Sequence, residues 1–169
     1  MSLLLLAIGV AFAWWWIARA SVTATPIVAL ATRISFPGGL RIGDPAGAVA
    51  QLSDPDEIVI PHAHATLVID YPLTVPAQIS VASSIPHGFT RAELVRTICE
   101  QYAEVYETED ATATVGALAL EAKTGLGGRN RTDGMYGIWG HPLDALVLSA
   151  MRWTRKSDGS VTIELHVHP

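Results

Sequence analysis

Two histidine pairs are the residues of this 169-residue chain best spaced to do chemistry. His62-x-His64 and His166-x-His168 each place two imidazoles on one face of an extended segment, because side chains alternate with period two. Glu164 falls on the same face as His166 and His168, completing a nitrogen and oxygen donor set that zinc accepts. A solvated strand face gives the same spacing without metal, and the penultimate position of His168 favours that reading. A second grouping combines Asp133, His141 and Asp144 with Thr132 or Ser149 as hydroxyl, the parts a hydrolase needs. Nothing like a nucleophile elbow surrounds it, and His141 reads more simply as the cap of a short helix that Pro142 opens, or as a ring hydrogen-bonded in the turn. The expectation is therefore no catalytic set, no cofactor and no metal. The alternative is a metal-binding hydrolase using His62, His64, His141, His166 or His168.

The elements that must position these residues follow from periodicity. Ala65 to Tyr71 and Gln78 to Ser83 read as strands joined through Pro72 and Pro76. Thr90-Arg91-Ala92-Glu93 is a capping box that opens a helix, with Phe89 placed to staple onto Leu94. Leu94, Val95, Ile98, Cys99, Tyr102, Val105 and Tyr106 then mark one helical face, and the helix is expected to run from Thr90 to Glu107. The acidic run Glu107-Thr108-Glu109-Asp110 opposes the helix dipole, so this end is expected to fray in preference to binding a cation. Ala111 to Gly128 mixes helix formers with Thr and Gly and predicts a mobile loop with some helix. Val147 to Arg155, the turn Lys156-Ser157-Asp158-Gly159 and Ser160 to His168 read as a hairpin. On its last strand Val161, Ile163, Leu165 and Val167 share one face, and Thr162, Glu164, His166 and His168 the other.

Between the helix and the hairpin, Asn130 to His141 alternates glycines with large aromatics. Glycine beside Tyr and Trp lets a backbone follow a tight path under bulky rings, so Tyr136 and Trp139 read either as core or as a groove for a partner. Tyr136, Trp139, His141, Arg129 and Arg131 are the candidate interaction residues. The two arginines form a cluster small enough to be solvated surface, with an anion site as the other reading.

Location is set by the N-terminus. Residues 3–18 form an unbroken apolar run closed by Trp14-Trp15-Trp16 and Arg19. As a helix it spans roughly 24 Å, slightly short of a hydrocarbon core of about 30 Å, and the charge-free stretch from Ala20 to Thr32 can lengthen it. The indole triplet suits an interfacial belt, and no Lys or Arg precedes the run, so a retained anchor is favoured over a cleaved signal ending near Ala20. Arg19, Arg33 and Arg41 follow the run and place the bulk of the chain on the cytoplasmic side. There the sequon Asn130-Arg131-Thr132 would stay silent.

The resulting division is an anchor over residues 1–20, an irregular tether over 21–61 broken by Pro26, Pro37-Gly38-Gly39, Asp44-Pro45 and Asp54-Pro55, and one domain over 62–169. The fold class is α+β: a small antiparallel sheet of strands near Leu67, Ile79, Val147 and Ile163, covered by one long helix and preceded by a transmembrane or signal-anchor helix. A net charge of -5 without a Lys/Arg-dense patch argues against nucleic acid as a partner. The single Cys99 allows no internal disulfide and reads as buried core. Membrane lipid through residues 3–18 and a protein are the expected partners.

Ile69-Asp70-Tyr71-Pro72-Leu73, Gly88-Phe89-Thr90-Arg91, Asn130-Arg131-Thr132-Asp133-Gly134 and Tyr136-Gly137-Ile138-Trp139-Gly140-His141 together resemble an uncharacterised domain family of large DNA viruses of protists and scattered eukaryotes. The resemblance covers about residues 65 to 168, and the chain departs from it where Pro142 replaces an Asp after the Gly-His. No activity comes with the family, so the resemblance implies a virion setting and a structural role linking membrane and protein shell, without a catalytic assignment.

Overall fold

The computed structural model describes residues 30–120 and 128–169, which fold as α+β. The membrane run at 3–18 and residues 21–29 of the expected tether lie outside them. No helix among the described residues is long and apolar enough to cross a membrane.

The first finding corrects the tether. Leu30–Arg41 is a 12-residue strand, β1, whose alternation buries Ile34 and Phe36 and leaves Arg33 and Ser35 outside. It pairs antiparallel with Val147–Arg155, β8, and the Pro37-Gly38-Gly39 sequence that reads as a breaker is absorbed in a register shift between Ser35 and Leu40. A short helix, α1 (Pro45–Ala50), follows, capped by the Asp44 carboxylate accepting from the Gly47 amide at 2.9 Å. Strand β2 (Ile58–Ile60) pairs with β5 (Phe89–Thr90) in a separate two-stranded ribbon.

The main sheet has five strands in the order β1-β8-β9-β3-β4, where β3 is His64–Ile69, β4 is Ala77–Ala82 and β9 is Val161–His168. The expected antiparallel sheet is mixed instead: β9 inserts beside β3 in parallel, pairing Thr66 with Thr162 and Leu67 with Ile163. This long-range step leaves no local mark on the sequence, since each strand alone has the same period. The hairpin of β8 and β9 forms as its turn predicts, with Gly159 at φ 86° and the Lys156 amide donating to the Ser160 carbonyl at 2.8 Å.

Helix α2 (Arg91–Thr112, 22 residues) covers one face of the sheet. Thr90 caps it, its hydroxyl accepting from the Glu93 amide at 3.2 Å. The Glu93 carboxylate has its main partners in the loop after β4, accepting from the Ser84 amide and the Ser83 hydroxyl. Leu94, Val95, Ile98 and Tyr102 are fully buried against Leu67, Ile69, Met151 and Ile163 of the sheet, in one core with Cys99. Burial and the neighbouring Glu100 push the Cys99 thiol up to about 11. The opposite sheet face is polar and solvated. Arg152 and Glu164 pair there at 2.6 Å, both half exposed, a contact worth less than about 1 kcal/mol. In the stretch expected to be a mobile loop with some helix, Ala119–Leu120 (β6) and Gly128–Arg129 (β7) form a third, two-stranded ribbon.

Candidate functional site

The acidic end of α2 does not fray. Glu109 lies three to four residues beyond Val105 and Tyr106 on the buried face, so the helix carries its carboxylate inward, where it is 0% exposed. The loop from Thr132 to Ile138 wraps around it. The Thr132 hydroxyl donates to Oε1, as does the Gly134 amide at 2.9 Å; the Tyr136 and Gly137 amides donate to Oε2 at 2.7 and 3.0 Å. The Ile138 amide stands 3.4 Å from Oε1. Burial alone pushes a carboxyl up, but the bonds from Thr132, Tyr136, Gly137 and Gly134 outweigh it and hold Glu109 below its ordinary value. A carboxylate accepting convergent amides is the arrangement in which burying a charge is tolerated, because every lone pair meets a donor.

The glycines of this loop are required by that approach. A Cβ on Gly134 would stand 2.5 Å from the Glu109 carbonyl oxygen and 2.7 Å from its carboxylate Oε2. Gly137 adopts φ 61°, a left-handed conformation that L side chains rarely take.

Two further segments are tied to the same loop. Residues 70–76, between β3 and β4, lie beside it: the Thr74 and Val75 amides donate to the Tyr136 carbonyl at 3.0 Å each, and the Trp139 amide donates to the Pro72 carbonyl at 3.1 Å. Residues 114–118, beyond α2, are held from the other side. Asp133 accepts from the Thr114 and Val115 amides at 2.9 and 2.6 Å, and Asn130 Oδ1 accepts from the Leu118 amide at 2.6 Å. The bonds from Thr114 and Val115 set the Asp133 carboxyl below its usual range. Asn130 Nδ2 also donates to the Gly116 carbonyl at 3.1 Å, so the sequon asparagine is committed to the fold.

Arg129 is a correction. It is buried at 7% exposure, not solvated, with its guanidinium 5.2 Å from the Tyr106 ring centroid and bonded to Asp110 at 3.1 Å. The Tyr106 hydroxyl in turn donates to the His141 carbonyl at 2.8 Å, and the Tyr102 hydroxyl to the Tyr71 carbonyl at 2.9 Å. Burial raises both phenol pKa values, so both remain donors. Arg131 is exposed and lines a depression of about 380 Å³ with Thr74, Val75, Val115 and Asp133.

His141 does not cap the turn after it. Pro142 occupies that position for the 3-10 turn Leu143–Ala145, without a side-chain bond, and the imidazole packs in an aromatic group instead. It stacks on Tyr71 with centroids 6.0 Å apart, while Trp139 meets Tyr71 edge-on at 5.5 Å. Tyr136 is half-buried against the core, and Trp139 remains 42% exposed.

Asp133, His141 and Asp144 are not brought together: among the described residues no hydrogen bond joins any two of them. The Thr132 hydroxyl is spent on Glu109 and that of Ser149 on the His166 carbonyl at 3.0 Å. The histidine pairs are also separated. The parallel register of β3 and β9 sets His64 level with Ser160, six residues from His166, or about 20 Å along the strand. His62 meets the Trp153 ring edge-on at 5.7 Å, and Glu164 is taken by Arg152. Among the described residues no three His, Cys, Asp or Glu side chains are grouped to hold a metal ion. No family model matches the chain, and neither does any curated protein or solved structure.

The residue that sequence reasoning missed is Glu109. Its signal was present: positions 102, 105, 106 and 109 continue one helical face, so an acid there is directed at the core.

Proposed function

We propose that the chain is a membrane-anchored structural or interaction protein, held to a bilayer by residues 3–18, that presents the Thr132–His141 loop to a protein partner. A virion is the setting, with the domain bridging membrane and protein shell. One observation supports the presenting role above the others. Apart from Ile58, the large apolar side chains left exposed among the described residues are Val75, Val115, Leu118, Met135 and Trp139. Met135 and Trp139 belong to the loop, the backbone amides of Val75 and Val115 are bonded to it, and that of Leu118 is bonded to Asn130 just before it. Exposed apolar side chains around one hydrogen-bonded junction are the kind of surface that protein interfaces use, with an exposed tryptophan as anchor.

The chemistry-bearing residues of the same region support this reading by being occupied. Thr132, Asp133, Asn130 and Glu109 all satisfy backbone groups of the domain, Thr132 through the Ile138 carbonyl, so the site's polar content goes into building a surface. Alkaline carbonate extraction of membranes from cells making the full chain tests the anchored part: the protein stays with the lipid pellet, and its quantitative release into the supernatant would contradict the proposal.

A further inference from the structure

We infer that β4 is the edge at which the chain pairs with a second copy of itself, joining two five-stranded sheets into one. The sheet ends in two edges, β1 and β4, and they differ in kind. β1 carries Arg33, Pro37 and Arg41 and a register shift between Ser35 and Leu40, the devices by which natural sheets discourage strand addition. β4 carries none of them. Ala77–Ala82 has no charge and no proline, and it runs opposite β3 in an unbroken register from Ala77 to Ala82. Among the described residues no further backbone group bonds to positions 77–82, so their outward amides and carbonyls lie open.

The strand suits its own copy. A two-fold axis perpendicular to the sheet requires antiparallel pairs whose numbers add to an even sum, because only then do both copies keep the same face toward their helices. An axis through Ser80 meets this condition. It sets Gln78 against Ala82 of the partner subunit on the polar face, and half-buried Ile79 against Val81 of the partner subunit on the core face. β-branched residues then meet across the strands, as stable pairs require, and no like charges approach. A foreign strand would find the same open edge, and the test distinguishes the two.

The experiment uses the full-length chain in a non-ionic detergent. Sedimentation velocity of the wild type gives a dimer, and Ser80→Lys, which places two ammonium groups on the axis, gives a monomer with an unchanged circular dichroism spectrum. Ser80→Cys sets two Cα atoms about 4.5 to 5.5 Å apart across the axis, within the separation a disulfide spans, so mild oxidation links two chains. Ser35→Cys on the β1 edge does not link, and buried Cys99 contributes no background. A wild type that is monomeric at tens of micromolar, a dimer that survives Ser80→Lys, or a Ser80→Cys chain that fails to cross-link would each overturn the inference.

Discussion

The Glu109 carboxylate and the Thr132 hydroxyl are bonded to each other where solvent is excluded, at 0% and 1% exposure. This bond joins the end of α2 to the start of the loop that carries Met135 and Trp139. Replacing Glu109 by Gln keeps the volume but turns one acceptor into a donor facing backbone amides, leaving at least one amide unpaired. The expected cost is on the order of 3 kcal/mol. Thr132→Val removes one of the donors and should cost about 1 kcal/mol. Urea unfolding of both variants checks the ranking, and equal costs would show that the carboxylate is not the organising partner.

The lowered pKa of Glu109 has a pH consequence. A carboxyl depressed in the folded state contributes stability above its unfolded value, and loses it as pH falls through the folded value. Unfolding free energy should be level near neutrality and fall below about pH 4.5, with Glu93, lowered by its bonds to Ser84 and Ser83 against the opposing effect of burial, adding to the slope. Glu109→Gln should flatten that acid limb. An identical pH profile in the variant would mean that Glu109 is not ionised in the fold.

Gly134 and Gly140 should answer substitution differently. Alanine at Gly134 drives a Cβ into the backbone of Glu109 and should cost on the order of 3 kcal/mol, as overpacking does. Gly140 has φ 77° and a Cβ added there meets nothing within 4 Å, so alanine meets only backbone strain of about 1 to 2 kcal/mol. Thermal melts of the two variants test the order.

Asn130 should carry no glycan. Its amide bonds both Leu118 and Gly116, and a glycan on Nδ2 would break the second of these bonds. Endoglycosidase treatment of protein made in a secretory eukaryotic host should leave its gel mobility unchanged. A shift would place the domain on the lumenal side and reverse the expected orientation.

What the sequence made legible tracks how local each signal is. The start of α2 and the hairpin of β8 and β9 could be read because a capping threonine and an Asp-Gly turn act within four residues. β1 could not: Pro37-Gly38-Gly39 breaks a strand by local propensity, and only pairing with β8 turns the break into a register shift. The parallel insertion of β9 was hidden for the same reason. At the candidate site the glycines and aromatics of Asn130 to His141 were visible as a tight path under rings. The object they wrap, Glu109, sits more than 20 residues earlier, and its acidic neighbours masked its place on the buried face.

The proposed role depends most on the fate of the first 20 residues, and the intact mass of the native protein, purified from membranes, tests it most directly. The expected mass includes residues 1–20, with or without Met1. A mature form beginning at Ser21 would contradict it, because a cleaved chain has no anchor to hold the domain at a membrane.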